Sequence, residues 1–515
     1  MKPEQFARII IKDILSGRIG DRQVLNSEKL KLSRELGLGA VPSSSFILSH
    51  ARPEERERVL PLLLRKPTRT ASGVAVVAVQ TSPLQACPGQ CIYCPDFAEA
   101  PRSYTGREPA SMRAIQCGFD PYLQVDARLR QLTAMGHPVS KVELIVQGAT
   151  FPAMNLEYRR WFVTRCLDAM IDHGGRRARP RSLKRAVTAS GRCRARPVGI
   201  TYETRPDWCT DEHLREMMGM GATRVEIGVQ TLSDRVLEGI DRGHSIADVA
   251  AAFERARGSG LKICAHMMLG LPGSDEAADI SSFEMLFQDA RFKPDELKIY
   301  PTLVIEGTML HRLWLKGEYD ALSDDEVLNR VTRIKRIVPE WVRIKRVMRD
   351  IPAGMVVAGP KRSDMRSMVL SALKAQGKRC RCIRCREVGR LADEQVDLSF
   401  CEQSYHVSAG REVFLSCEDR GRTLIAAFLR LSVRDDGACR VRELHTYGRA
   451  LQVGERPSGS AWQHRGLGMG LLKAAEERGR DAGARSLRVT SGIGARDYYR
   501  RLGYRLHEFY VCKRL

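Results

Sequence analysis

From Val74 onward the chain alternates short, strongly apolar runs with segments of helical periodicity, six times in series. The runs are Val74 to Val79, Val142 to Gln147, Val198 to Glu203, Arg224 to Gln230, Lys262 to Leu269 and Leu297 to Leu303. Between them lie helical patterns such as Pro121 to Met135, Tyr158 to Ile171, Ser245 to Arg257 with Ser245 as N-cap, and Asp275 to Asp289. Such runs belong to strands buried on both faces. Parallel strands need crossover helices that cover those faces, so residues 74–360 are expected to form an α/β fold, an incomplete barrel of (β/α)6 type. In a barrel of this kind function gathers at the C-terminal ends of the strands. The polar and glycine residues stand there: a cysteine loop after the first strand, Gly148 and Thr150 after the second, Glu203 and Arg205 after the third. Glu226 and Gln230 lie on the fourth strand, His266 with the Gly270–Gly273 turn on the fifth, and Tyr300 on the sixth.

The cysteine loop reads Cys87-Pro-Gly-Gln-Cys91-Ile-Tyr-Cys94. Three thiolates this close suit one polynuclear site, and an iron-sulfur cube with only three local ligands keeps one iron open. Structural zinc is the alternative, but it wants four ligands, usually from two cysteine knuckles. A second triplet, Cys380, Cys382 and Cys385, is set among arginines in residues 378–386. Its Cys-x-x-Cys spacing reads first as structural zinc, with Cys117 or His311 to supply a fourth ligand; free reactive thiols are the rival reading. Grouped in this way, the cysteines fit metal ligation in a reducing cytoplasm better than disulfides.

The chain holds 84 Lys and Arg against 61 acids, a formal charge of +23, which reads as a footprint for a polyanion, nucleic acid before membrane. No run is apolar enough to span a bilayer. Residues 1–73 are expected to form a small basic helical domain, in which Lys29, Lys31, Arg65 and Lys66 are candidates for phosphate contacts. The acids in its first segment argue against a signal peptide. Gly174 to Pro197 holds nine Lys or Arg and no acid, among them Arg176, Arg177, Arg179, Arg181, Lys184 and Arg185. Such a block repels itself and is expected to stay loose until a polyanion neutralises it. Arg343, Lys345, Arg346 and Arg349 make a second cluster, and residues 361–395 read as a basic connector around the second cysteine triplet.

Residues 396–515 are compositionally distinct. Strand patterns at Val413 to Ser416, Leu424 to Leu431 and Arg440 to His445 lead to Gln463-His-Arg-Gly466-Leu467-Gly468-Met469-Gly470, which opens a helix, Leu471 to Arg480. Glycines at a strand-to-helix turn bare successive backbone N–H groups, a ready site for a pyrophosphate. A further strand at Ser486 to Thr490 and the segment ARDYYRRLGYRL follow. This combination resembles the acetyl-coenzyme A domain of the GCN5-related N-acetyltransferase (GNAT) family. The resemblance implies that Gln463 and Gly466 to Gly470 hold the coenzyme and that Tyr498 or Tyr499 protonates the departing thiolate.

The first cysteine loop in turn resembles that of the radical S-adenosylmethionine superfamily. That resemblance implies a 4Fe-4S cluster on Cys87, Cys91 and Cys94, with S-adenosylmethionine held near Gly148, Thr150, Glu203, Arg205, Glu226 and Gln230. The segments SYTGREPASMRAIQ, ETRPDWC, RVEIGVQ, KIYPTLVIEGT and RELHTYG are similar to the family of Elongator catalytic subunits, over nearly the whole chain beyond residue 70. The family implies a tRNA-modifying enzyme that installs a carboxymethyl-type group at carbon 5 of the wobble uridine. A deoxyadenosyl radical takes hydrogen from the methyl of acetyl-coenzyme A, the acetyl radical adds to the uridine and the thioester is hydrolysed. Its partners would be the tRNA anticodon stem-loop, both cofactors and an electron donor, in the cytoplasm, with a homodimer possible. Two rivals make different demands. A protein lysine acetyltransferase with a structural cluster needs a general base near the thioester, for which Glu443 and His445 are candidates. A non-catalytic RNA-binding scaffold leaves the coenzyme loop without a role.

Overall fold

The computed structural model describes residues 2–66, 69–85, 87–148, 150–176, 180–388, 396–448 and 466–515. Four short helices, α1 (Lys2–Leu15), α2 (Arg22–Glu35), α3 (Ser44–Ser49) and α4 (Pro53–Leu63), form the N-terminal unit. Asp21 caps α2 and Ser43 caps α3 through side-chain oxygens that take up free N–H groups. The helices close around their own core of Phe6, Ile10, Ile11, Leu25, Ile47, Leu48 and Val59.

The central sheet contains the six expected strands, β1 (Ala75–Gln80), β2 (Lys141–Gln147), β3 (Arg196–Thr204), β4 (Arg224–Gln230), β5 (Lys262–Leu269) and β6 (Glu296–Pro301). After a two-residue strand, β7 (Val304–Ile305), it gains one more, β8 (Arg343–Val347), while β9 (Val356–Ala358) pairs only with β7. The order is β1-β2-β3-β4-β5-β6-β8, every neighbour parallel. The seventh strand read as a charge cluster because Arg343 and Lys345 alternate with Ile344 and Val347. Its cations find acids on other elements: Arg343 meets Glu387 at 2.7 Å, and Lys345 meets Glu143 at 3.2 Å and Glu296 at 3.3 Å.

The sheet stops short of closure, so β1 is a free edge. Unpaired edge groups invite foreign strands. Here side chains take them up: the Gln124 amide accepts from Gln80 N–H at 2.8 Å and donates to Gln80 C=O at 2.9 Å, and Arg113 donates to Ala78 C=O.

The C-terminal sheet comprises β10 (Leu398–Val407), β11 (Gly410–Asp419), β12 (Ile425–Arg434), β13 (Cys439–Thr446), β14 (Ser486–Val489), β15 (Arg505–His507) and β16 (Tyr510–Arg514), in the order β10-β11-β12-β13-β14-β16-β15. Strand β10 has mostly polar or half-exposed residues and gives no apolar run to find. Neighbours are antiparallel except β13 and β14, which pair in parallel only over Cys439–Val441 and Leu487–Val489. Beyond Val441 the two strands part. The helix Leu467–Asp481 begins beside that split and packs on β12 and β13.

This second sheet docks on the N-terminal ends of the barrel strands, the end opposite the cysteine loop. Arg442, its side chain fully buried, donates to Asp295, just before β6, at 2.7 Å, to Glu412 at 2.9 Å and to the Leu261 carbonyl at 2.9 Å. Lys262, at the start of β5, meets Glu443 at 3.1 Å, and Arg430 meets Glu443 at 2.9 Å. Gly492 lies so close to the start of β3 that a Cβ there would come within 2.0 Å of the Val198 carbonyl oxygen.

Candidate active site

The cysteine loop, residues 87–94, lies at the C-terminal ends of the strands under a cavity of about 340 Å³. The Cys94 thiol hydrogen-bonds Cys91, whose own acidity is set by that bond. Against the opposing effect of burial, the nearby Arg242 and Arg205 charges help bring the Cys91 pKa down to about 4, while Cys94 is pushed well up. Arg242 Nη1 lies 3.2 Å from Cys91 Sγ. Cys87 Sγ faces Thr150 Oγ1 at 3.6 Å. The three thiols do not gather within 4.8 Å of one another as Cys380, Cys382 and Cys385 do. Ligands to separate irons of a cube stand farther apart than ligands to one ion.

The surrounding polar groups fit a cofactor with charged and hydroxyl ends. Arg205 is anchored through Nε on Asp207 at 2.9 Å and through Nη2 on the Gly243 carbonyl at 3.2 Å. Among the described residues its buried Nη1 has no partner, and it points at Gly89, where a Cβ would come within 2.1 Å. Gly148, at φ +135°, brings its backbone so close to Thr81 that a Cβ would overlap Oγ1 at 1.9 Å. Glu203 accepts from Tyr104 Oη at 2.8 Å, and Gln230, at φ +72°, lines the cavity.

Glu226 sits deeper, fully buried beneath this layer, in contact with Lys298 and 3.2 Å from His266 Nε2. Burial alone would raise its pKa, but Lys298 and His266 hold it well below the usual carboxylate range; burial and Lys298 lower His266. Lys298 and Glu226 thus face each other as a buried ion pair. Glu226, Cys264 and His266 lie within 4.8 Å of one another, but the Lys298 and Lys345 ammonium groups already neutralise the carboxylate where a metal ion would have to stand.

In the C-terminal domain Gly466 adopts φ +82° as the N-cap of the helix Leu467–Asp481. Gly468 is pressed between elements, since a Cβ there would meet Tyr498 Oη at 3.4 Å and Thr446 Oγ1 at 3.7 Å, while at Gly470 it would meet the Phe400 ring at 3.0 Å. The loop, the end of β13 and the Tyr498 hydroxyl thus converge where β13 and β14 part. Tyr499 turns the other way, into the domain core against Tyr504. Gln463 lies outside the described residues.

Family models match nearly the whole chain: the ELP3 N-terminal domain over residues 4–71, the Radical SAM superfamily over 81–284, the Radical SAM C-terminal domain over 294–375 and the Acetyltransferase (GNAT) family over 382–504. A tRNA uridine(34) acetyltransferase of Methanocaldococcus jannaschii is 42% identical over 541 residues, covering 99% of this chain and 98% of that protein. Elongator complex protein 3 of Homo sapiens is 40% identical over 547 residues, covering 100% and 98%. The chain belongs to the Elongator complex protein 3 family. A solved structure of the archaeal Methanocaldococcus infernus Elp3, with an N-terminal deletion, superposes with a TM-score of 0.76 at 39% identity, covering 87% of this chain and 100% of that one.

Within this family member, the second cysteine triplet is tightly drawn together and largely buried, and Lys335 Nζ lies 3.6 Å from Cys385 Sγ. Among the described residues neither Cys117 nor His311 joins it. Of the basic candidates, Lys31, Arg65, Lys66, Arg176, Lys184 and Arg185 are exposed. Lys29 is instead buried with Nζ 3.5 Å from Ser44 Oγ, and Arg181 is bound to Asp168 at 2.8 Å and Asp172 at 3.1 Å, so neither is a free phosphate ligand. Arg177 and Arg179 lie outside the described residues. The basic block is not uniformly loose: Leu183–Ser190 forms a helix, with Ala186 and Ser190 on its buried side. Sequence reasoning missed Arg242, Tyr104 and Lys298. Tyr104 and Lys298 stand inside two of the family-like segments, whereas Arg242 follows a short helix with no local mark of its contact to Cys91.

Proposed function

We propose that this chain modifies the wobble uridine of tRNA, installing a carboxymethyl-type group at carbon 5 with S-adenosylmethionine and acetyl-coenzyme A. The observation that supports this over lysine acetylation is the fate of Glu443 and His445. Glu443 is held by Lys262 and Arg430, and His445 Nε2 is 2.9 Å from the Ser72 carbonyl. Both groups hold the two domains together and are not available to deprotonate an amine. Relatives that carry the name tRNA uridine(34) acetyltransferase support the same reading.

Cys87, Cys91 and Cys94 would hold the cluster, and with S-adenosylmethionine bound it supplies the radical chemistry that ordinary acyl transfer to carbon 5 lacks. Arg242 balances the thiolate charge at Cys91. Arg205 Nη1, with its other nitrogens anchored, offers a fixed donor to a carboxylate, and the Tyr104–Glu203 pair presents a fixed acceptor for hydroxyls. The Gly466–Gly468 start of the helix offers backbone N–H groups to a pyrophosphate, those of Met469 and Gly470 being spent on the Gly466 carbonyl. Tyr498, whose hydroxyl lies against Gly468, would supply the proton to the departing thiolate. Cys380, Cys382 and Cys385 are proposed to hold a structural zinc that pins the connector to β8. The chemistry needs an external electron donor, and exposed Lys31, Arg65, Lys66, Lys184 and Arg185 are proposed to grip the RNA stem.

Mass spectrometry of tRNA nucleosides tests the reading, after anaerobic incubation of reconstituted protein with both cofactors, a reductant and unmodified tRNA. A carboxymethylated uridine with released deoxyadenosine is the expected result. Acetylated lysines with no new nucleoside would overturn it. For the tyrosines, Tyr498→Phe is expected to slow tRNA-stimulated acetyl-coenzyme A hydrolysis by about 10²-fold, the lower end of general-acid effects. Tyr499→Phe should leave the rate near wild type, and the opposite ranking would reassign the acid.

A further inference from the structure

The cavity over the cysteine loop does not end at the strand tips. It runs down the open side of the barrel along β1, past Ala78 and Val76 to Arg69, and nearby Ser72 already touches the C-terminal domain through His445. One wall of this groove holds Arg69, Arg113 and Arg128, from the segment before β1 and the helices Pro109–Gln116 and Pro121–Ala134. Among the described residues no carboxylate pairs with any of them. Arg113 donates to the Ala78 carbonyl, and its Nε is buried without a partner. Arg128 donates to Gln131 Oε1 at 2.6 Å, and among the described residues Arg69 Nη1 reaches only Met135 Sδ at 3.9 Å. Burial and the charges of Arg113 and Arg69 pull the Arg128 pKa down to about 10. Glu108 also lines the cavity but is taken by the Thr105 N–H and the Ser111 hydroxyl.

Several buried arginines of this protein are matched by acids, Arg442 by Asp295, Arg430 by Glu443 and Arg386 by Glu418. Three half-buried guanidiniums that repel one another form a surface whose missing charge is an anion's. The fork geometry of arginine favours phosphate. We infer that Arg69, Arg113 and Arg128 seat a backbone phosphate of the RNA strand whose nucleotide enters the cavity. This rests on the proposed tRNA reading. The coenzyme also has phosphates, but the glycine turn at Gly466–Gly470 in the other domain already offers them a site. A nucleotide reaching into the groove would bring its own phosphate to the groove wall, between the cysteine loop at one end and the C-terminal domain at the other.

The test is binding of an anticodon stem-loop RNA to the full chain across a salt series, with acetyl-coenzyme A binding and thermal unfolding measured on the same samples. Arg128→Gln, and the double variant Arg69→Gln/Arg128→Gln, should weaken RNA binding about 10-fold and lower the log-log salt slope by ~0.7 for the lost contact. Coenzyme affinity should stay within about twofold, and melting should not fall, because removing a like charge relieves repulsion. Arg128→Lys should restore the salt slope but only part of the affinity. Wild-type RNA affinity and slope in the variants would overturn the seat while leaving the tRNA reading intact. A fall in coenzyme affinity instead would assign the arginines to the coenzyme. Lowered melting with both affinities reduced would make them structural, and a wild-type chain that binds no RNA would reject the tRNA reading itself.

Discussion

Cys91→Ser is expected to abolish uridine modification while leaving acetyl-coenzyme A binding within about twofold of wild type, two readouts that separate because the sites lie in different domains. The middle cysteine is buried, holds the hydrogen bond from Cys94 and faces Arg242 Nη1 at 3.2 Å. A serine hydroxyl does not ionise in the accessible pH range and gives Arg242 no anion to balance. The cluster site then loses a ligand, and the guanidinium stays buried beside a neutral group. The measurements are iron content and the visible absorption of the reconstituted protein, nucleoside mass spectrometry, and coenzyme binding by calorimetry. Undiminished modification with a depleted cluster would sink the radical route. Lost coenzyme binding would mean that the barrel and the acetyl-coenzyme A domain are not separable in this way.

Arg442→Ala is expected to destabilise the protein by ~3–5 kcal/mol, the usual cost of removing one partner from a buried charge network. The side chains of Arg442 and Asp295 are fully buried, and Arg442 also binds Glu412. Its loss leaves Asp295 with only the longer contact to Arg430, at 3.5 Å, and Glu412 with Arg257, at 3.6 Å, as buried charge partners among the described residues. Trp341 of the barrel stacks on Tyr405 of β10 with ring centroids 4.1 Å apart, so tryptophan fluorescence during denaturation reports on this boundary. Unfolding should change from one transition to two, with the C-terminal domain leaving first. Acid acts on the same groups. Burial alone would raise the pKa of Asp295, yet Arg442 and Arg430 hold it at about 2, below the ordinary 3.8. A depressed carboxylate stabilises the fold fully above the ordinary value and loses that contribution as pH falls through the folded one. The interface should therefore weaken between about pH 4 and pH 2, and Arg442→Ala should flatten that dependence. A loss below about 1 kcal/mol, typical of exposed pairs, would show that the network is solvated in solution.

Much of the chemistry is local in the chain. Three cysteines within eight residues, glycines at a helix start and apolar runs with helical spacers each act over a few neighbours, so Cys87 to Cys94, Gly466 to Gly470 and strands β1 to β6 were readable from their own segments. The choice between Tyr498 and Tyr499 was not. Adjacent residues of a helix point in different directions, and only packing against Gly468 on one side and Tyr504 on the other tells the two side chains apart. Strand β8 and the buried ions were hidden for a related reason. Lys345 meets Glu143 across 202 residues of chain, and Arg442 meets Asp295 across 147. A cation whose partner lies that far away reads as surface charge.

Sequence by itself determined the cysteine loop, the glycine-rich helix start, the parallel sheet and the excess of positive charge, because these follow from residue type and short spacing. Tertiary structure decided that the C-terminal domain sits at the end of the barrel opposite the cysteine loop and takes Glu443 and His445 into the boundary. It also decided that Arg69, Arg113 and Arg128 share one groove. Side chains from separate elements meet only through the register of strands and the docking of domains, and no local pattern encodes either.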